Sequence, residues 1–90
     1  MKREVAVQLV EALTSGRYPQ ALGVLRSLQG YCVLGVLCDI SGTGEWGKPG
    51  RLRVDGTWHR RYRAGGETST AIPPPAVIDW AQISAVELQL

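Results

Sequence analysis

The longest apolar stretch of the chain is central, at residues 30–40, and Asp39 is its only charged residue. A segment that is apolar on nearly every side must be buried on every side, so other elements are expected to pack around it. Its periodicity fits either a buried helix or a buried strand. We predict a helix, because the stretch is long for a strand and Ser41-Gly42 is a suitable helix end. Gly35 would then let a neighbouring element approach closely.

Two further helices are predicted at the ends of the chain. Residues 2–14 have apolar positions at the i, i+4, i+7 and i+8 spacing of an amphipathic helix, and these are Val5, Leu9, Ala12 and Leu13. Gly16 suits the left-handed position that follows a helix. The run of three prolines at residues 73–75 predicts a helix that begins at Pro75, because proline is favoured at the first helical position. Its inward face would carry Val77, Trp80 and Ala81.

The strongest strand signal covers residues 51–63, where Asp55-Gly56 separates two strand-like segments. Asp-Gly is a preferred two-residue hairpin turn, and it would place Arg53 opposite Trp58 and Val54 opposite Thr57. The alternation of apolar and polar residues is imperfect, which also allows a bulge or a longer loop. In the two-residue register, one face of the hairpin gathers Arg51, Arg53, Trp58, Arg60 and Tyr62.

The remaining segments predict little regular structure. Residues 22–28 allow a strand, the glycine-rich residues 41–50 predict a loop, residues 64–70 are a polar loop or edge, and residues 86–90 alternate like an edge strand. Trp46 in the glycine-rich loop either caps the core or offers its face to a ligand. We therefore predict a single α+β domain over residues 1–90, with about three helices packed on a short antiparallel sheet that contains the basic hairpin.

Charge is unevenly distributed along the 90 residues. The chain has a net charge of +2, yet residues 48–63 hold six basic residues and one acid, so the rest of the chain is net acidic. No stretch is long and apolar enough to span a bilayer, and no signal peptide is evident. A small, aromatic-poor core also favours a homodimer, since association buries more surface.

Catalytic patterns are lacking. The single histidine, His59, has no adjacent carboxylate to orient it and is expected to be structural or at the surface. Cys32 and Cys38 lie in the apolar stretch and predict buried, reduced thiols, as in cytoplasmic proteins. No metal-ligand spacing and no phosphate-binding loop with its lysine is found. We therefore expect no enzymatic activity, no metal and no cofactor.

The basic hairpin is the best candidate for a binding site. Arginine donates bidentate hydrogen bonds to phosphate, and aromatic rings stack on bases. A nucleotide-like anion or a nucleic acid is therefore the predicted partner, although a charged, solvated edge hairpin would have the same composition. The predicted ligand-binding residues are Arg53, Trp58, Arg60, Arg61, Tyr62 and Arg63.

Three segments together resemble a family of small bacteriophage and prophage proteins with a CxLGVLCD core and an LPPxVxxW helix. They are residues 15–20 followed by Leu25-Arg26, residues 31–39 and residues 72–80. The resemblance implies a viral protein in the cytoplasm of a bacterial host, and it transfers no activity. In that context we expect sequestration of a nucleotide signal of host defence. The alternatives are a DNA- or RNA-binding accessory protein and a module that docks on a host protein through Trp46.

Overall fold

The computed structural model describes residues 1–51 and 56–84. These residues form a small α+β domain with three helices and two three-stranded antiparallel sheets, in the orders β1-β4-β3 and β2-β5-β6. The predicted fold class is confirmed, with two sheets in place of one. The elements are α1 (Arg3–Thr14), β1 (Arg26–Ser27), α2 (Val33–Ser41), β2 (Glu45–Trp46), β3 (Gly50–Arg51), β4 (Trp58–Arg60), β5 (Tyr62–Ala64), β6 (Glu67–Ser69) and α3 (Pro75–Ala81).

The central apolar stretch is the helix α2, as predicted, and its middle turn (Gly35, Val36, Leu37 and Cys38) is buried in the core. A Cβ atom on Gly35 would overlap the backbone carbonyl of Leu25, so this glycine allows the segment before β1 to lie directly on the helix. Gly42 ends α2 in the left-handed conformation, with φ of 65°. Cys32 is half-buried at the start of α2, where its sulfur accepts a hydrogen bond from the Gly35 amide at 3.4 Å.

The two terminal helices pack on α2, and α3 also contacts β5. α1 buries the stripe Val5, Leu9 and Ala12, and α3 buries Val77 and Ala81. Both helices have the predicted ends, since Gly16 follows α1 with φ of 80° and Pro75 is the first residue of α3. No helix among the described residues is both long enough and apolar enough to cross a bilayer.

The register predicted for the basic hairpin is wrong. β3 pairs with β4 so that Arg51, rather than Arg53, lies opposite Trp58, and Gly50 lies opposite His59. This register differs from the one that a two-residue turn at Asp55-Gly56 would set. Arg53 lies outside the described residues, as does the edge strand predicted at residues 86–90.

The predicted second strand of the hairpin is divided at Arg61 between the two sheets. β4 belongs to the first sheet and β5 to the second. His59 and Tyr62 are both buried although they are three residues apart, so strict alternation is interrupted between them. Arg61 and Arg63, on either side of the buried Tyr62, are both exposed and share one face of the chain.

The glycine-rich segment is more regular than predicted. It contains β2, which pairs with β5 so that Glu45 lies opposite Arg63 and Trp46 opposite Tyr62. Gly44 permits this approach, because a Cβ atom there would overlap the carbonyl of Arg63. Residues 64–70 form an edge, one of the two predicted outcomes, in which β6 follows the Gly65-Gly66 turn and pairs with β5.

Candidate anion-binding site

A cavity of about 340 Å³ has walls from both sheets. Four of its lining residues are cationic and none is a carboxylate. We call this cavity the cationic cavity, and it is lined by Gly47, Lys48, Gly50, Arg51, His59, Arg61, Arg63 and Thr68.

Backbone pairing brings the cations together from segments that are distant in sequence. The Gly47 amide donates a hydrogen bond to the Arg61 carbonyl at 2.8 Å, which holds the segment between β2 and β3 against the junction of β4 and β5. Lys48 and Arg51 are on the first of these segments, and Arg61 and Arg63 are on the second. The crossing from one sheet to the other thus converts a basic sequence into two facing walls.

The cations of the cavity lack protein counter-ions among the described residues. Lys48, Arg61 and Arg63 form no ion pair there, and Glu45, although opposite Arg63 in the β2–β5 ladder, stays beyond ion-pair distance of it. Like charges in proximity are unfavourable unless an opposite charge is added. An anion in the cavity would supply that charge.

His59 adds an unsatisfied hydrogen-bonding group. Its side chain is only 4% exposed, it lines the cavity, and its Nδ1 has no hydrogen-bond partner in the described part of the chain. Buried polar atoms are nearly always paired, so an unpaired one in a residue that lines a cavity is a candidate group for a ligand contact. The sequence had suggested only a structural or surface role for this residue.

Trp58 does not line the cavity. Its ring is 39% exposed and carries the Arg51 guanidinium, whose central carbon is 4.8 Å from a ring centroid. A cation–π contact of this kind holds the arginine in place without using its hydrogen-bond donors. Trp58 therefore acts on the site through Arg51.

The other predicted site residues are dispersed. Arg61 and Arg63 line the cavity, whereas Arg60 lies opposite Arg26 in the β1–β4 ladder. Tyr62 is 2% exposed in the core, and its hydroxyl accepts a hydrogen bond from the Gly44 amide at 2.8 Å. Its ring is thus covered by protein, and the stacking role predicted for Tyr62 is incompatible with this position.

A second polar cluster surrounds Asp39. The Asp39 carboxylate accepts hydrogen bonds from the Tyr18 hydroxyl at 2.5 Å and from Trp46 Nε1 at 3.0 Å. The Arg26 guanidinium lies over the Tyr31 and Trp46 rings, at 4.7 Å and 5.4 Å. T-shaped contacts join the Tyr18 ring to the Tyr31 ring, the Tyr31 ring to the Trp46 ring and the Trp46 ring to the Tyr62 ring. We call this group the Asp39 cluster, and it comprises Tyr18, Arg26, Tyr31, Asp39, Trp46 and Tyr62.

Trp46 belongs to the Asp39 cluster and packs against the core, as one of its two interpretations predicted. Burial, followed by the hydrogen bond to Asp39, raises the pKa of Tyr18 to about 12. Burial also raises the pKa of Tyr31. These groups are held neutral at physiological pH, as expected of a structural cluster.

The cysteines offer no reactive site. Burial raises the pKa of the Cys38 thiol to about 12, so it is protonated at neutral pH and fits the predicted role of a small buried hydrophobe. Cys32 is only half-buried and caps α2. Within the described ranges, no group of three or more His, Cys, Asp or Glu side chains is arranged to hold a metal ion.

Comparison with known proteins gives a family and no activity. No curated protein and no solved structure matches the chain. The model of one family covers residues 1–89, almost the whole sequence. The chain therefore belongs to DUF8296, a domain family of unknown function.

Proposed function

We propose that this protein is a non-enzymatic binding protein for a small, nucleotide-like anion, which it holds in the cationic cavity. One observation carries the proposal: Lys48, Arg51, Arg61 and Arg63 line a single concavity that has no carboxylate in its wall. Guanidinium groups make paired hydrogen bonds to phosphate oxygens, which are stronger than those between neutral groups.

The size and the remaining groups of the cavity agree with a ligand of this class. A volume of about 340 Å³ lies near the lower end of the range for small-molecule sites, roughly 300–1,000 Å³. Two or three arginines are enough for one phosphate group, and His59 Nδ1 would hydrogen-bond a further ligand atom. Neither predicted ring lines the cavity, since Tyr62 is in the core and Trp58 contacts Arg51 outside the wall.

The biological role that we propose rests on the resemblance to small phage proteins. In the cytoplasm of a bacterial host, a protein that binds a nucleotide without transforming it would lower the free concentration of that nucleotide. Specifically, we propose that the protein sequesters a nucleotide signal of host defence. We also propose that it acts as a homodimer, as its small core led us to expect.

Isothermal titration calorimetry with ADP, a cyclic dinucleotide and pyrophosphate tests the binding step. We expect at least one of these anions to bind, and Arg61→Glu to weaken that binding at least tenfold, since it reverses a charge in the wall. Arg60→Glu is the matched control, because Arg60 is the neighbouring arginine and does not line the cavity. No heat from any of the three anions with the wild type, or equal losses in the two variants, would overturn the proposal.

A nucleic-acid partner is the second candidate, favoured by one observation. Arg26 and Arg60 form a further cationic pair outside the cavity wall, so positive charge is present on more than one side of β4. Binding of a single-stranded oligonucleotide, measured by fluorescence anisotropy between about 50 and 200 mM salt, should then fall steeply, and both arginine variants should weaken it. Docking on a host protein through Trp46 has less support, because that ring contacts Tyr31, Tyr62 and Arg26.

A further inference from the structure

The outer face of α1 is apolar at its centre and charged at its ends. Val7 and Val10 are 51% and 60% exposed, and they lie on the side of the helix opposite the buried Val5, Leu9 and Ala12. This face has a shallow groove of about 320 Å³, lined by Arg3, Ala6, Val7, Val10 and Glu11. An amphipathic helix that buries one face in the core thus presents a second apolar stripe to the solvent.

The two charged residues that line this groove are arranged symmetrically about Val7. Arg3 precedes Val7 by four residues, and Glu11 follows it by four. On a helix of 3.6 residues per turn, both lie about 40° from Val7, one on each side. This face is therefore complementary in charge to the same face of a second, antiparallel α1 helix.

We propose that this face is a self-association surface, on which the α1 helices of two copies pack antiparallel about a two-fold axis at Val7. In that arrangement the two Val7 side chains meet at the axis, and Arg3 faces Glu11 of the partner subunit at each end. A two-fold interface uses the same patch on both copies, so each favourable contact occurs twice.

We assign a second copy of the chain to this groove because the charges on the groove are symmetric. A membrane surface would favour an excess of basic residues around the apolar stripe, whereas this groove has one basic and one acidic residue. The cavity residues belong to the β-strands and their connections, so this pairing does not depend on the proposed ligand. A single helix contact buries little surface, and we expect a weak dimer that forms as concentration rises.

Analytical ultracentrifugation of charge-reversed variants tests the pairing. Arg3→Glu makes both charges of the face acidic, and Glu11→Arg makes both basic, so each variant alone should dissociate at least tenfold more readily than the wild type. An equimolar mixture of the two variants should regain the association, because each mixed pair contains two oppositely charged contacts. Val7→Glu should prevent association in every combination.

Matched controls reverse an exposed charge elsewhere. Arg17→Glu and Glu67→Arg lie outside the groove and should associate like the wild type, and circular dichroism of all variants checks that α1 is folded. The proposal is overturned if the wild type stays monomeric at the highest attainable concentration, or if folded Arg3→Glu and Glu11→Arg chains fail to recover association on mixing. Equal weakening by the controls would also overturn it.

Discussion

The cationic cavity and the Asp39 cluster both place arginine beside an aromatic ring, but they differ in how their polar groups are satisfied. In the Asp39 cluster, a carboxylate accepts hydrogen bonds from Tyr18 and Trp46, and Arg26 is spread over two rings. In the cavity, four cations surround an opening without a carboxylate, and His59 Nδ1 has no described partner.

This difference separates charge used to hold the fold from charge available to a ligand. A satisfied polar group stabilises the native state, whereas an unsatisfied one is a cost that a ligand can relieve. The density of arginine along the chain therefore does not distinguish the two regions. The presence or absence of protein partners does, and substitutions in the two regions should affect different properties.

The largest expected effect is that of Asp39→Ala on stability. The substitution leaves the Tyr18 hydroxyl and Trp46 Nε1 partly buried without their acceptor, and each unsatisfied donor costs about 1–3 kcal/mol. We expect the free energy of unfolding, measured by urea denaturation, to fall by about 3 kcal/mol. Asp79→Ala, at an exposed position on α3, should change it by less than about 0.5 kcal/mol. A similar small change for both variants would mean that the cluster is not structural.

A smaller effect is expected for Trp58→Ala on the affinity of the cavity for its anion. Without the ring, Arg51 loses a cation–π contact worth about 0.5–1 kcal/mol at an exposed site, which corresponds to about twofold to fivefold weaker binding. Trp58→Phe retains a ring and should lose less affinity. Calorimetry with whichever anion binds the wild type measures both. Equal losses in the two variants would contradict the role assigned to the ring.

Neutralising one arginine in each region should have opposite consequences for stability. Arg26→Gln loses contacts with two rings, and we expect it to lower the free energy of unfolding by about 1 kcal/mol. Arg63→Gln relieves repulsion in the cavity and should leave this free energy unchanged or raise it by up to about 0.5 kcal/mol. Thermal denaturation of the two variants makes the comparison. If Arg63→Gln were the more destabilising, the cavity would be part of the structural framework.

The smallest expected effect concerns alkaline pH. The folded-state pKa of Tyr18, about 12, is above its ordinary value of 10.0, so the protonated hydroxyl contributes stability that is complete below pH 10 and is lost as the pH rises through 12. The urea midpoint of the wild type should therefore fall more steeply in this window than that of Tyr18→Phe. Tyr31 and Cys38 titrate in both proteins, and their contributions cancel in the comparison. Parallel slopes would exclude a pH-dependent role of Tyr18.

Much of the helical structure could be predicted because its signals are local. The apolar stripe of α1, the glycine after α2 and the proline at the start of α3 each act within one or two helical turns. The hairpin register could not be predicted in this way. Asp55-Gly56 favours a tight turn locally, but Arg51 lies opposite Trp58, which is not the register that a two-residue turn at Asp55-Gly56 would set.

Only part of the candidate site could be predicted, because the charge of a segment is local information whereas strand pairing is not. Counting charges identified the segment that contains Arg61 and Arg63, and alternation along one continuous strand assigned Arg60 and Tyr62 to the same face. The division of that strand at Arg61 invalidates this assignment. Only pairing with β2 and β6 places Tyr62 in the core, and pairing partners are not encoded within the segment itself.

The sequence by itself determined that a buried helix would organise an α+β domain and that basic residues would concentrate in one segment, since hydrophobic periodicity and composition are properties of short stretches of chain. Only the tertiary structure decided which basic residues meet. The passage of residues 47–51 from one sheet to the other brings Lys48 and Arg51 to Arg61 and Arg63. That arrangement depends on backbone pairing between segments that are distant in sequence, for which no local pattern of residues provides the information.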